Sequence, residues 1–363
     1  MKALVIDRQD VAFNLQLIKQ RADGAQIIAN LSANAQGMGL IETARLLRGE
    51  GIGSFAVSET EAVALLRSEG FEEENILMLR STLDPEEIKK LVENRAILTV
   101  GSHEAAAAIN GIAEGLGTVA EVHIKIDMGL GHYGFRPNEV DKILSIYNYM
   151  SNLAISGIYM RFSDALKKEK QVREELEGFR AVIAKINEAG FETGIAHAAD
   201  SVALFKYDFC NLDAVCPGSA LIGRLPGKEN FGLKKVGYIE AGLEEVKWHP
   251  AGGKIGAGGG GKIKKPVKTA VVPVGWYNGV GQSPDCSGLS LKGPFSRLGA
   301  VLGGQLKQNR PLVKVGSGKA RIMGGIGMNF MVINVTSTDS QNGDKVRIDV
   351  DPRLVKGLEI VYR

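Results

Sequence analysis

Three cysteines, Cys210, Cys216 and Cys286, carry the chain's thiols. A thiolate is a nucleophile or a metal ligand, but these three have no paired spacing. Neither a disulfide framework nor a zinc cluster is predicted, and no metal site is expected. The stretch Gly252 to Lys265, GGKIGAGGGGKIKK, suggests a second chemistry, the cradling of a phosphate by backbone amides. It lacks the GxxxxGK-Ser/Thr pattern and the strand–loop–helix context that would give that reading force. Successive glycines also lose the most conformational freedom on ordering, which favours a plain loop.

The elements that must position such groups follow from hydrophobic period. Short, mostly continuous apolar runs at 26–31, 54–58, 76–80, 96–100, 122–127, 154–160, 194–198 and 214–218 read as strands covered on both faces. Amphipathic segments such as 40–51 and 171–190 lie between them. Ser58-Glu-Thr-Glu61 reads as a capping box, and Asp84-Pro85 as an N-cap followed by proline in the first turn. Eight strands alternating with helices predict a (β/α)8 TIM barrel over residues 1–230, with a doubly wound open sheet as the competing reading. Beyond residue 230 helical periodicity stops, and short strands between glycine-rich turns predict an all-β domain over 231–363.

Composition narrows the function classes. Lys and Arg number 44 against 41 Asp and Glu, so the charge is too balanced for a nucleic-acid surface. The start, MKALVIDRQD, has no apolar signal region, and no run approaches the roughly 18 apolar residues of a membrane span. A cytoplasmic protein is expected, with no membrane partner.

Six segments in order resemble the alanine racemase family of fold-type III pyridoxal-phosphate enzymes: SFAVSETEAVALLRSEG, VHIKIDMGLGHYGF, HAADSVALF, CPGSALIG, VVPVGWYNG and MNFMVINVT. NLSANAQGMG after the first strand resembles that family's VVKANAYGHG motif. The resemblance implies a TIM barrel with a β domain and a head-to-tail homodimer. It also implies where the family's site residues fall. Ser32 stands at the position of the Schiff-base lysine, Gln36 at that of a phosphate-contacting tyrosine, and Met38 at that of a histidine. Ala257 stands at the family's second acid/base, a tyrosine, and residues 251–265 contain no tyrosine. Cys216 replaces the arginine under the pyridine nitrogen, His132 the arginine that meets the substrate carboxylate, and Arg161 a histidine. Ser201, Gly218 and Ser219 match the family's phosphate-binding serine and backbone amides. Lys125 matches a lysine that some members carbamylate; read by itself, it is a barrel-interior strand residue that needs a carboxylate partner.

A serine hydroxyl forms no imine, so no covalent cofactor is expected. The predicted function is an alanine-racemase-like protein without orthodox racemase chemistry. It would be a regulatory or partner-binding homologue, paired with itself or with a catalytic protein. Its pocket would keep a small anionic ligand, with non-covalent pyridoxal phosphate or another phosphorylated molecule at Ser201, Gly218 and Ser219. The alternatives are an enzyme repurposed around Ser32, His132, Arg161 and Cys216, and a degenerate cofactor-dependent racemase. Convergence of those four side chains discriminates between the first two readings. Simpler roles stand beside the sharp ones. On these, Cys216 is an inert buried thiol, Arg161 neutralises Asp164 or Asp200, Gly218 makes a tight turn, and Ser201 caps the helix that follows.

Overall fold

A computed structural model describes residues 2–166, 168–227, 229–256, 263–282 and 313–363. Ala257 and Cys286 lie outside the described residues. The chain divides into two compact units, Asp10–Lys235 and a second made of Met1–Gln9 with Val236–Arg363.

Asp10–Lys235 is the expected barrel. Its strands are all parallel, in the sheet order that begins at Gln26–Ile27 and Ala214–Val215 and ends at Ser54–Val57 and Ala29–Asn30. Because Gln26–Ile27 and Ala29–Asn30 flank Ile28 in one continuous segment, the two ends of that order meet, and eight strands close the ring. Backbone amides of Ile28 and Asn30 donate to the carbonyls of Val215 and Pro217, and that of Leu31 to Ala56. An open doubly wound sheet has no such closure. Small and branched side chains fill the barrel: Ile28, Ala56, Leu77, Ile97 and Ala214 form one buried cluster. The helices present their apolar stripes inward. Glu169–Glu188 buries Val172, Leu176, Phe179, Val182 and Ile186, a spacing that keeps to one face.

The predicted helix start at Asp84 holds: its carboxylate accepts from the Glu87 amide, with Pro85 in the first turn of Pro85–Glu93. The capping box at Ser58–Glu61 does not form. The helix there begins at Thr60 after Glu59, with no side-chain cap, because the Ser58 hydroxyl bonds Ser32 at 2.8 Å and Glu59 accepts from the Ala33 amide.

The other unit is built on a sheet of nine strands among the described residues. Seven come from beyond Val236 in the antiparallel pairings expected of short strands and tight turns, running from Tyr238–Gly242 to Lys345–Asp349. The last, Glu359–Tyr362, pairs parallel to a strand from the opposite end of the chain, Lys2–Ile6. That strand also pairs antiparallel with Tyr238–Gly242. Residues 1–9 therefore leave the span 1–230 expected for the barrel. A five-residue apolar run says that it is a strand, not which sheet it joins.

Candidate functional site

Alternation along Ala120–Ile126 turns His123 and Lys125 to the barrel interior. Thr99, Tyr159 and His197 arrive on neighbouring strands, with Lys125 opposite Tyr159 and Tyr159 opposite His197 in register. The Tyr159 hydroxyl bonds the Thr99 hydroxyl at 2.9 Å and donates to the Leu79 carbonyl at 3.2 Å. The Tyr159 ring stacks on His197, 4.8 Å between centroids and 4° from parallel. His197 Nε2 and His123 Nδ1 lie 3.3 Å apart. Burial lowers the His123 pKa to about 4, and burial followed by the His123 charge drives His197 well below its ordinary value. Both rings are neutral at physiological pH. Sequence reading passed over this polar layer. Its one legible sign was a histidine and a lysine two residues apart in an otherwise apolar strand.

Above it opens a small cavity of about 30 Å³ lined by Asn30, Leu79, Tyr159, Met160, Arg161, His197, Ala198, Ala199, Asp200 and Cys216. Burial pushes the Cys216 thiol up to about 12, so it stays protonated and is a poor nucleophile. Arg161 is exposed at the rim, its guanidinium 3.8 Å from the Asp200 carboxylate, one of the two partners expected for it. Asp200, rather than Ser201, caps the helix Ser201–Lys206, accepting from the amides of Val202 and Ala203.

Ser32 stands beside this pocket without lining it. Its amide donates to the Asn30 side chain at 3.0 Å. After it, Ala33, Asn34, Ala35 and Gln36 all take left-handed backbone angles, with φ between 53° and 56°. Each such non-glycine residue costs about 1–2 kcal/mol, so the turn persists only because its surroundings hold it. The Asn34 side chain accepts from the Leu40 amide, Glu59 from the Ala33 amide, and the Gln36 side chain donates to the Ser32 carbonyl at 3.2 Å.

The three residues read as an anion site do come together, with a correction to their roles. The Ser201 hydroxyl is buried and accepts from the amides of Gly218 at 2.9 Å and Ala220 at 3.0 Å. Those two amides are therefore engaged within the protein. Ser219 is half-buried, and its amide and hydroxyl have no hydrogen-bond partner among the described residues. Gly218 opens a tight turn, its carbonyl accepting from the Leu221 amide at 3.0 Å, without a left-handed φ. A Cβ there would stand 3.3 Å from the Asn30 Cβ and 3.4 Å from the Gln36 Nε2, close enough that these neighbours would have to shift.

Lys125 has no carboxylate partner among the described residues. Its ammonium donates to the His132 carbonyl at 2.9 Å and lies over the rings of Tyr133 and Tyr159. Burial first, and the Arg161 charge second, lower its pKa, against a smaller opposing pull from Asp127. His132 thus contributes its backbone here, and its side chain is exposed and outside the pocket. Of the four side chains required by a repurposed enzyme, the pocket gathers Arg161 and Cys216 but not Ser32 or His132. No group of three or more His, Cys, Asp or Glu among the described residues could hold a metal ion, and no helix among them is long and apolar enough to cross a membrane.

Residues 6–226 match the family model "Alanine racemase, N-terminal domain". The chain belongs to the alanine racemase family. Similar proteins include the alanine racemase of Methanococcus maripaludis, 29% identical over 352 residues, covering 94% of this chain and 87% of that one. The alanine racemase of Clostridium tetani is 30% identical over 285 residues, covering 77% and 73%. Among solved structures, alanine racemase from Clostridium difficile 630 superposes with a TM-score of 0.85 at 24% identity, covering 100% of this chain and 95% of that one. The enzyme from D-cycloserine-producing Streptomyces lavendulae gives 0.84 at 20% identity, covering 100% and 97%. At these identities the structural likeness speaks for the shared fold alone.

Pyridoxal phosphate, the cofactor of the alanine racemase family, is held by a lysine amine. No lysine lines the pocket, and the Lys125 amine, on the strand paired with that of Tyr159, is engaged at the His132 carbonyl. Covalent attachment of that group does not fit the residues present.

Proposed function

We propose that this alanine racemase family member carries out no Schiff-base racemisation and holds a small anionic ligand non-covalently in the barrel-mouth pocket, as a regulatory or partner-binding homologue. The single observation that carries the reading is Ser32. It follows the first barrel strand, where the family's motif has its lysine, and it presents a hydroxyl bonded to Ser58. A hydroxyl can neither form an imine nor serve as a strong base at neutral pH. One feature of the pocket supports an anion, the Arg161 guanidinium at its rim; the unpartnered Ser219 amide and the Gln36 side chain beside Gly218 add donors outside its lining. Repurposed catalysis is the weaker reading, since Ser32 and His132 lie outside the pocket and Cys216 is held as a neutral thiol.

An absorbance spectrum with and without pyridoxal phosphate, then borohydride reduction and mass measurement, tests the first half. No pyridoxyl adduct and no racemisation of alanine are expected; a borohydride-stable adduct on any lysine overturns the reading. Thermal melts against phosphate, pyridoxal phosphate and other phosphorylated metabolites test the second. A ligand at a hundredfold excess over its Kd adds about 2.7 kcal/mol of stability. No stabilisation by any of them, or stabilisation that survives Ser219→Pro, counts against the anion site.

A further inference from the structure

We infer that His123 is a positioning residue that fixes the proton of His197 on Nδ1, so that His197 presents a neutral N–H donor to the pocket and selects ligands whose inner end carries a hydrogen-bond acceptor. The ligand half of this inference rests on the pocket reading above; the tautomer half does not.

Two neutral imidazoles joined nitrogen to nitrogen share one hydrogen bond, so one ring must donate and the other accept. The far nitrogen of each ring decides which. His123 Nε2 is fully enclosed and has no partner. The ring packs on Gly157, where even a Cβ would come within 2.5 Å of Nε2, so no water fits between them. An enclosed N–H with nothing to donate to is the rarer and costlier orphan, whereas a bare lone pair against a glycine loses less. His123 therefore carries its proton on Nδ1 and donates it to His197 Nε2, 3.3 Å away.

That leaves His197 its own proton on Nδ1. This nitrogen has no hydrogen-bond partner among the described residues, yet it is not one of the enclosed orphans, and His197 lines the pocket. It opens onto the cavity as a donor. Stacking against Tyr159, itself tied to Thr99 and Leu79, holds the ring plane. Burial keeps both rings uncharged at neutral pH, so the donor brings no formal charge. Cys216 lines the same pocket with a neutral thiol, a weak donor. The pocket thus offers a neutral N–H within and a guanidinium at its rim. The ligand class that matches is an anion whose inner end is an unprotonated ring nitrogen or a carbonyl oxygen.

Long-range proton–nitrogen correlation spectra of protein with 15N-labelled histidine read the tautomers directly. The expected result is His197 protonated on Nδ1 and bare on Nε2; a proton on His197 Nε2 overturns the inference. His123→Met replaces the donor with a thioether that can only accept, so the His197 proton should shift toward Nε2, and an unchanged Nδ1–H spectrum removes the positioning role. If that variant does not fold, the wild-type spectrum decides. Calorimetry with pyridin-4-ylmethyl phosphate and benzyl phosphate, which differ in one ring nitrogen, reads the ligand class. The pyridyl compound should bind about 2–10-fold tighter, the worth of one net hydrogen bond, and the preference should vanish in His197→Phe. Equal affinities overturn the acceptor selectivity while the pocket reading stands. Binding of neither overturns the pocket reading and the ligand class together, leaving the tautomer to the spectra.

Discussion

At the scale of single residues, Ser201 and Ser32 make opposite demands on their neighbours. Ser201 is a buried acceptor for two amides, so Ser201→Ala should leave Gly218 and Ala220 with unpaired N–H groups in the interior. Each buried unpaired group costs about 1–3 kcal/mol, and urea unfolding of the variant should show a loss in that range or above it. A change below half a kcal/mol, roughly the neutral range of surface substitutions, would mean that the hydroxyl is not the acceptor. Ser32 is half-buried and tied to Ser58 by one hydroxyl contact. Ser32→Lys should capture pyridoxal phosphate as a borohydride-stable adduct detectable by mass, without alanine racemisation, if, as the resemblance implies, Ala257 stands where the family has its second base. Measurable racemisation by that single variant would show that this chain retains an opposing base.

Between elements, two contacts make sharp predictions. Where the strand Leu153–Met160 passes Ala120–Ile126, Gly157 leaves room for the His123 ring. Gly157→Ala forces a methyl into that ring and should cost about 1–3 kcal/mol as overpacking, read as a lower urea midpoint at unchanged slope. In the β unit, Glu240 on Tyr238–Gly242 accepts from Arg363 at 2.8 and 3.0 Å and pairs with Lys345 at 2.9 Å. The Arg363 hydrogen bond, against some burial, and then Lys345 lower its pKa from 4.5 to about 2. A lowered folded-state pKa means stability that is complete above pH 4.5 and lost as pH falls toward 2. The melting-temperature difference between wild type and Glu240→Gln should therefore shrink across that window. A difference that stays constant with pH would show that Glu240 carries no such linkage.

For the whole molecule, the exposed large side chains Trp276, Tyr277, Met328 and Phe330 fall in two short stretches of the β unit. Those stretches are joined by hydrogen bonds from the amides of Trp276 and Tyr277 to the carbonyls of Gly327 and Met328. An apolar patch of this kind is ordinarily covered, and a homodimer, implied by the family resemblance, is the expected cover. Sedimentation at micromolar concentration should show a dimer, and Trp276→Glu with Phe330→Glu should shift it to monomer. A wild-type monomer at that concentration removes the proposal.

Sequence by itself determined the parts that depend on period and local chemistry. Continuous apolar runs alternating with amphipathic stripes require strands covered by helices, and Asp84-Pro85 starts a helix with groups only three residues apart. The identity of Ser32 rules out an imine there in any fold. Tertiary structure decided whatever depends on a distant partner. The run Lys2–Ile6 pairs with strands more than two hundred residues away, so its domain was not legible in its residues. Ser58 has the pattern of a cap, but its hydroxyl goes to Ser32, and the helix starts at Thr60 with no side-chain cap. Ser201 likewise yields the cap to Asp200 and turns inward to two amides. His123, His197 and Tyr159 belong to three separate strands. Only the pairing of those strands side by side brings them together, and the glycine packed on His123 leaves its Nε2 enclosed without a partner.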